Sequence, residues 1–164
     1  MSTIASPAAL ETDVPLELLH LELVSRLAEK RGQEREKGLA DLELLGYNAG
    51  YRIIERLTRE HPKFKDELDL MKFICKDFWT SVFKKQIDNL RTNHQGVYVL
   101  QDKNFKFLSK VSAGRQYLDE SGLFVVFSCG LVRGSLANLN LNSIVTAEIV
   151  SPPAVKFQVQ VERN

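Results

Sequence analysis

Charge in excess of either sign is the first thing this sequence lacks. Its 22 Lys and Arg balance 21 Asp and Glu, for a formal net charge of +1 over 164 residues. A nucleic-acid-binding domain calls for a strongly basic face, so no nucleic-acid partner is expected. Cysteine is scarce: Cys75 and Cys129 lie far apart with no CxxC pair. They fit buried thiols in a reducing compartment better than a disulfide framework. No apolar run is long enough to cross a bilayer, and the most apolar stretch, Leu123–Val132, is short and holds Ser128. The opening MSTIASPAALETDVP has no basic segment ahead of an apolar one, so no secretory signal is expected. Position 2 is Ser where a myristoylation start needs Gly, and the final VERN carries no prenylation signal. Chemistry-bearing motifs are missing too, with no P-loop, dinucleotide fingerprint or GxSxG elbow. His20, His61 and His94 are scattered without metal-ligand spacing. These absences point to a cytosolic non-enzyme without cofactor or metal, touching membranes peripherally at most.

What is present is an ordinary globular composition, 44% hydrophobic and 26% charged. Residues 1–13 are small, polar and aperiodic, and read as a mobile tail ahead of one domain over 14–164. A helix is expected from about Pro15, with Leu16, Leu19, Leu23 and Leu27 on one face and Val24 at its margin. Leu18 and Leu21 widen that face beyond a single core contact. Glu29–Lys37 is highly charged, a solvated helix end or a loop. A second helix, about Leu39–Glu60, places Leu42, Leu45, Ala49, Ile53 and Leu57 at helical spacing. The third, about Lys65–Leu90, buries Leu68, Met71, Cys75, Phe78, Trp79, Val82 and Ile87 by the same rule. Val97–Leu100 and Phe105–Leu108, joined by Gln-Asp-Lys-Asn, read as a hairpin. Leu123–Leu139 is strand-like by propensity and helical by spacing. Ile144–Val150 and Val155–Val161 form a second hairpin around Pro152-Pro153, with Val155, Phe157, Val159 and Val161 inward. Helices followed by antiparallel strands make an α+β domain.

Two small-xxx-small pairs, Gly46/Gly50 and Gly130/Gly134, let another backbone approach closely, inside the chain or between subunits. A Cys nucleophile needs an exposed thiolate and a base, and nothing sets a histidine beside Cys75 or Cys129. Asp66, Glu67 and Asp69 suit the first turn of a helix, and Asn93 and Gly96 suit a turn. Lys84, Lys85 and Arg91 form a basic patch, read first as a solvated helix face and otherwise as facing anionic lipid or an acidic partner. Between Ser121 and Val161 the only charged residues are Arg133, Glu148 and Lys156, so that region is core or is partly covered by another chain. With the over-wide first helix, this points to a protein–protein interface. A small-molecule or lipid carrier, with a cavity between helices and sheet, is the rival reading.

Two runs carry a resemblance across sister subunits of one family: LGYNAGYRIIERL (Leu45–Leu57) and CGLVRGSL (Cys129–Leu136). Both resemble the TRAPP (trafficking protein particle) small subunits. FICKDFW (Phe73–Trp79) and DNLRTNHQGVYVLQD (Asp88–Asp102) look like the narrower subunit 6 branch. The likeness runs from about Leu16 to Val161 and is weakest over Glu29–Lys37. It implies helices packed on one side of a twisted four-stranded antiparallel sheet, which makes Leu123–Leu139 helical. It also implies pairing through the first two helices, with Leu16, Leu19, Leu23, Leu27, Leu45, Gly46, Ala49, Gly50 and Ile53 at the interface and TRAPP small subunit 3 as partner. By the same resemblance the chain is a structural, non-catalytic subunit of a vesicle-tethering complex at cis-Golgi and ER membranes. That complex is a guanine nucleotide exchange factor for a Rab GTPase in ER-to-Golgi and Golgi transport. The subunit 3 branch carries an acylated cysteine near the start of its third helix. No cysteine precedes Cys75 here, so an acyl site is not expected.

Overall fold

In the computed structural model, which describes residues 14–109 and 120–163, helix α1 (Val14–Ala28) leads into the long α2 (Gly32–Thr58). Helix α3 (Glu67–Phe73) continues through a π turn (Ile74–Phe78) into α4 (Trp79–Phe83). Strands β1 (Asn89–Thr92) and β2 (Val97–Asp102), a 3-10 turn at Lys106–Leu108, helix α5 (Leu123–Asn138), and strands β3 (Ser143–Ser151) and β4 (Ala154–Val161) complete the described chain. The expected tail, 1–13, lies outside the described residues. The sheet is antiparallel throughout, in the order β1-β2-β4-β3. Its inner face, which includes Tyr98, Leu100, Val155, Phe157 and Val159, is buried under the helices. This is the expected α+β architecture.

Helix α5 is the centre of the fold. Leu123–Leu136 is buried except at Val126 and Arg133, with α2 on one side and β3 on the other. A segment covered on both sides needs no polar face, which is why its run of Phe124-Val125-Val126-Phe127 looked strand-like and still folds as helix.

Four expectations change. The third helix stops at Phe83, not near Leu90, because Lys84 takes a left-handed conformation (φ 60°) and closes on the Thr80 carbonyl. That turn sends the Lys85 ammonium to the carboxylates of Asp102 at 2.6 Å and Asp88 at 3.0 Å. The first hairpin pairs β1 with β2 through Asn93–Gly96, and Phe105–Leu108 is not a strand. Asn93 Oδ1 accepts from the N–H groups of Gln95 and Val97, and Gly96 supplies the φ of 90° that the turn demands. Phe105 and Phe107 alternate like strand residues, but both point into the core. With Trp79, Phe83 and Phe157 they form a cluster of rings with neighbouring centroids 4.5–5.6 Å apart along Trp79–Phe83–Phe105–Phe107.

The third and fourth changes are of helix phase. On α1 the buried stripe is His20, Val24 and Leu27, so Leu16 and Leu19 face outward. On α2 it is Leu42, Gly46, Gly50 and Ile54, while Leu45 is exposed and Ala49, Ile53 and Leu57 are half-buried. Glycine hides its role from a hydrophobicity count because it has no side chain to score.

One polar group sits at the heart of the fold. Asp102, 0% exposed, accepts from Trp79 Nε1 at 2.9 Å, Lys85 Nζ at 2.6 Å and the Asn104 N–H at 3.0 Å. Every donor is used to hold a carboxylate that would otherwise be costly to bury.

Candidate interaction surface

The two glycine pairs meet each other. A methyl group on Gly46 would run into the carbonyl oxygen of Phe127, and one on Gly50 into that of Leu131. Reciprocally, a methyl on Gly130 would strike the carbonyl of Glu43, and one on Gly134 that of Tyr47. Helices α2 and α5 therefore cross main chain on main chain. Arg133 closes the rim of this crossing, donating to Glu43 at 2.6 Å with its guanidinium 4.4 Å from the Tyr47 ring centroid. Asn138 Nδ2 donates to the Tyr51 carbonyl at 3.1 Å.

The expected interface residues thus separate. Gly46 and Gly50 are used inside the chain, which corrects their assignment to pairing between subunits. Leu27 is also internal, buried beside Gly38. Leu23 is half-buried and lines a cleft of about 250 Å³ between α1 and α2, with Leu42 and Leu45 opposite and Arg26, Lys30 and Asp41 at its rim. Ala49 and Ile53 pack on the edge of the core.

Large apolar side chains remain outside. Leu18 and Leu19 are each 59% exposed, and Leu44 and Leu45 are 51% and 49% exposed. Leu16, Leu21 and Tyr51 are exposed as well. Leu44 and Tyr51 were not among the sequence candidates; their seven-residue spacing, two turns on one side of α2, was the signal available. Covering the apolar area these side chains still expose would favour a contact, at about 25 cal/mol per Å² before the costs of association. A helix that has buried one stripe and still leaves Leu16, Leu18, Leu19 and Leu21 exposed around the rest of its surface carries more apolar area than its own fold uses.

The opposite side of α1 is fixed firmly. His20, buried, stacks on Phe107 with centroids 3.8 Å apart and planes 8° from parallel, and is flanked by Phe124 and Phe127. Burial lowers its pKa to about 4, so it is held neutral.

Burial pushes both thiols up to about 12, so neither Cys75 nor Cys129 forms a thiolate near neutral pH. Among the described residues, no cluster of three or more His, Cys, Asp or Glu is arranged to hold a metal ion. None of the described helices is long and apolar enough to cross a membrane. Among the described residues, the rings of Trp79, Phe83, Phe105, Phe107 and Phe157 pack together between helices and sheet.

A family model described as transport protein particle (TRAPP) component matches residues 16–162. The human trafficking protein particle complex subunit 6B is 56% identical over 149 residues, covering 89% of this chain and 94% of that protein. The human subunit 6A is 44% identical over 155 residues, covering 92% and 98% respectively. A crystal structure of trafficking protein particle complex subunit 3 from Naegleria fowleri, covalently bound to palmitic acid, superposes with a TM-score of 0.75. It is 15% identical and covers 90% of this chain and 93% of that one, a likeness of fold.

Proposed function

Because the chain belongs to the transport protein particle (TRAPP) component family, in its subunit 6 branch, we propose that its α1–α2 face is the surface through which it is built into the TRAPP complex. It is a structural subunit of that tethering complex. The observation that carries the proposal is the group of leucines on α1 and α2 that the fold itself leaves in solvent. Leu16, Leu18, Leu19, Leu21, Leu44 and Leu45 form the contact, with Leu23, Ala49 and Ile53 at its margin.

The partner for this face is TRAPP small subunit 3, a relative of similar fold whose own first two helices meet these in a pseudo-symmetric four-helix contact. Residues 14–164 act as one domain in that pairing. The chain contributes no catalytic group in this reading; the assembled complex promotes nucleotide exchange on a Rab GTPase in ER-to-Golgi and Golgi transport, and holds this subunit at those membranes.

Co-expression with a subunit 3 protein tests the reading directly. A heterodimer of one copy of each, stable through size-exclusion chromatography with light scattering, is the expected result. Two monomers that never associate would sink it.

A further inference from the structure

A second open contact lies at an edge of the sheet and shares no residue with the leucine face. The order β1-β2-β4-β3 leaves two edges, and among the described residues no strand pairs with the outer side of either. The two are built differently. β1 is four residues long and carries Arg91, whereas β3 runs for nine, with Glu148 as its single charge and no proline. Short length, positive charge and proline are common ways to keep an edge from pairing, and β3 uses none of them. The one shift in its register, at Val150, falls near its end and leaves Ser143–Ile149 in unbroken register with β4. The Glu162 N–H bonds to the Asn142 carbonyl, and bonded pairs alternate along an antiparallel ladder. Ile144, Thr146 and Glu148 therefore bond to β4, while Val145, Ala147 and Ile149 turn their N–H and C=O groups to the open side. The side chains of these last three lie on the inner face, half-buried at the margin of the core. Those of Ile144, Thr146 and Glu148 lie on the outer face, exposed, and Val150 is exposed as well.

The strand identifies its own partner. Its sequence, Ser-Ile-Val-Thr-Ala-Glu-Ile-Val-Ser, is close to a palindrome in side-chain character about Ala147. Two identical strands paired antiparallel across a two-fold axis set each residue against its mirror position, so a palindromic edge complements itself. We infer that β3 pairs with β3 of a second copy of this chain, on a two-fold axis at Ala147, joining the two sheets edge to edge. The open groups of Val145, Ala147 and Ile149 are the ones this pairing bonds. On the inner face Val145 meets Ile149, which covers apolar side chains that the single sheet leaves half in solvent. On the outer face Thr146 meets Glu148, hydroxyl against carboxylate, and Ile144 meets Val150. The two Glu148 side chains do not oppose each other, and each already lies across from Lys156 of its own β4. Because both copies use the same patch, assembly closes at two.

The test uses the full chain carrying Leu18→Glu with Leu45→Glu, which keeps the α1–α2 face out of the measurement. Sedimentation over rising concentration should show monomer and dimer in equilibrium, with a Kd below about 1 mM. Amide exchange should slow with concentration at Val145, Ala147 and Ile149, and stay unchanged at Ile144, Thr146 and Glu148, which β4 already protects. Ala147→Pro removes an open-edge donor, spares the ladder to β4, and should weaken association by about tenfold or more. Thr146→Lys sets an ammonium against Glu148 of the other copy, twice by symmetry, and should tighten the dimer by about threefold or more. Thr146→Glu should loosen it by a similar factor. A chain that stays monomeric up to about 1 mM, assembly that grows past two copies, exchange that slows at none of the three open amides, or one response to both charges at position 146 would each overturn the inference.

Discussion

On one side of α2, Gly46 and Gly50 lie main chain to main chain against α5; elsewhere on it Leu44 and Leu45 stand half in solvent, Leu45 across a cleft from Leu23 of α1. The smallest residues of the helix make its closest contact, while two of its leucines are left half in solvent. The difference teaches that an apolar side chain left in solvent marks where a surface waits for a partner here, while the absence of a side chain marks where the chain has already closed on itself. A substitution at the first place should act on folding, and one at the second on assembly.

The most disruptive test is Gly50→Val or Gly130→Val. Branched carbons would be driven into the opposing main chain, and the loss should reach about 3 kcal/mol or more in urea denaturation of the isolated subunit. Normal stability with lost pairing would reverse the comparison. Next comes pH. The unfolded chain takes a proton on His20 near pH 6.5, and the folded chain refuses it down to about 4. Unfolding is therefore favoured progressively as pH falls from 6.5 to 4, by roughly 3 kcal/mol at the lower end, with the full contribution kept above 6.5. His20→Phe keeps a ring against Phe107 and should flatten that part of the stability–pH curve relative to wild type. The inner face of α1 then becomes insensitive to acid while the outer face is unaltered.

Leu18→Glu with Leu45→Glu should leave the stability of the isolated subunit within about 0.5 kcal/mol. The same pair should weaken association with subunit 3 by about 2 kcal/mol or more, roughly 30-fold, in a titration read by calorimetry. The smallest effect belongs to Arg133→Met. The pair with Glu43 is more than a third exposed on both sides, so even with its place over Tyr47 it should cost about 1 kcal/mol or less. Its value to the comparison is spatial: it sits at the rim of the crossing and should behave as surface.

Much of this was legible in the residues, and the failures have physical causes. The β3–β4 hairpin was plain because β4 alternates without interruption and Pro152-Pro153 marks its loop. The helices α1 and α2 were visible as periodic, but not their phase. Leucines occupy so many positions of α1 that two faces score alike, and the stripe that wins contains His20, whose burial is decided by a ring 87 residues away at Phe107. The Phe105/Phe107 pair imitated a strand because two residues of alternation carry no information on whether an edge is available. Asp102 could not be foreseen as a core residue, since its donors Trp79 and Lys85 come from a helix end whose left-handed stop at Lys84 has no glycine to announce it. Of the surface, the excess of leucine on α1 was readable, and the closure of Gly46 and Gly50 against α5 was not, because spacing alone does not say whose backbone arrives.

The reciprocal crossing also constrains how this chain can drift over time. In a packed core an enlarged side chain is often rescued by a shrunken neighbour. At Gly46, Gly50, Gly130 and Gly134 the opposing atom belongs to the peptide backbone, which no codon change can trim. These four positions have no second-site suppressor in contact with them, so among descendants they should stay fixed together while the leucines a turn away follow whatever partner they meet.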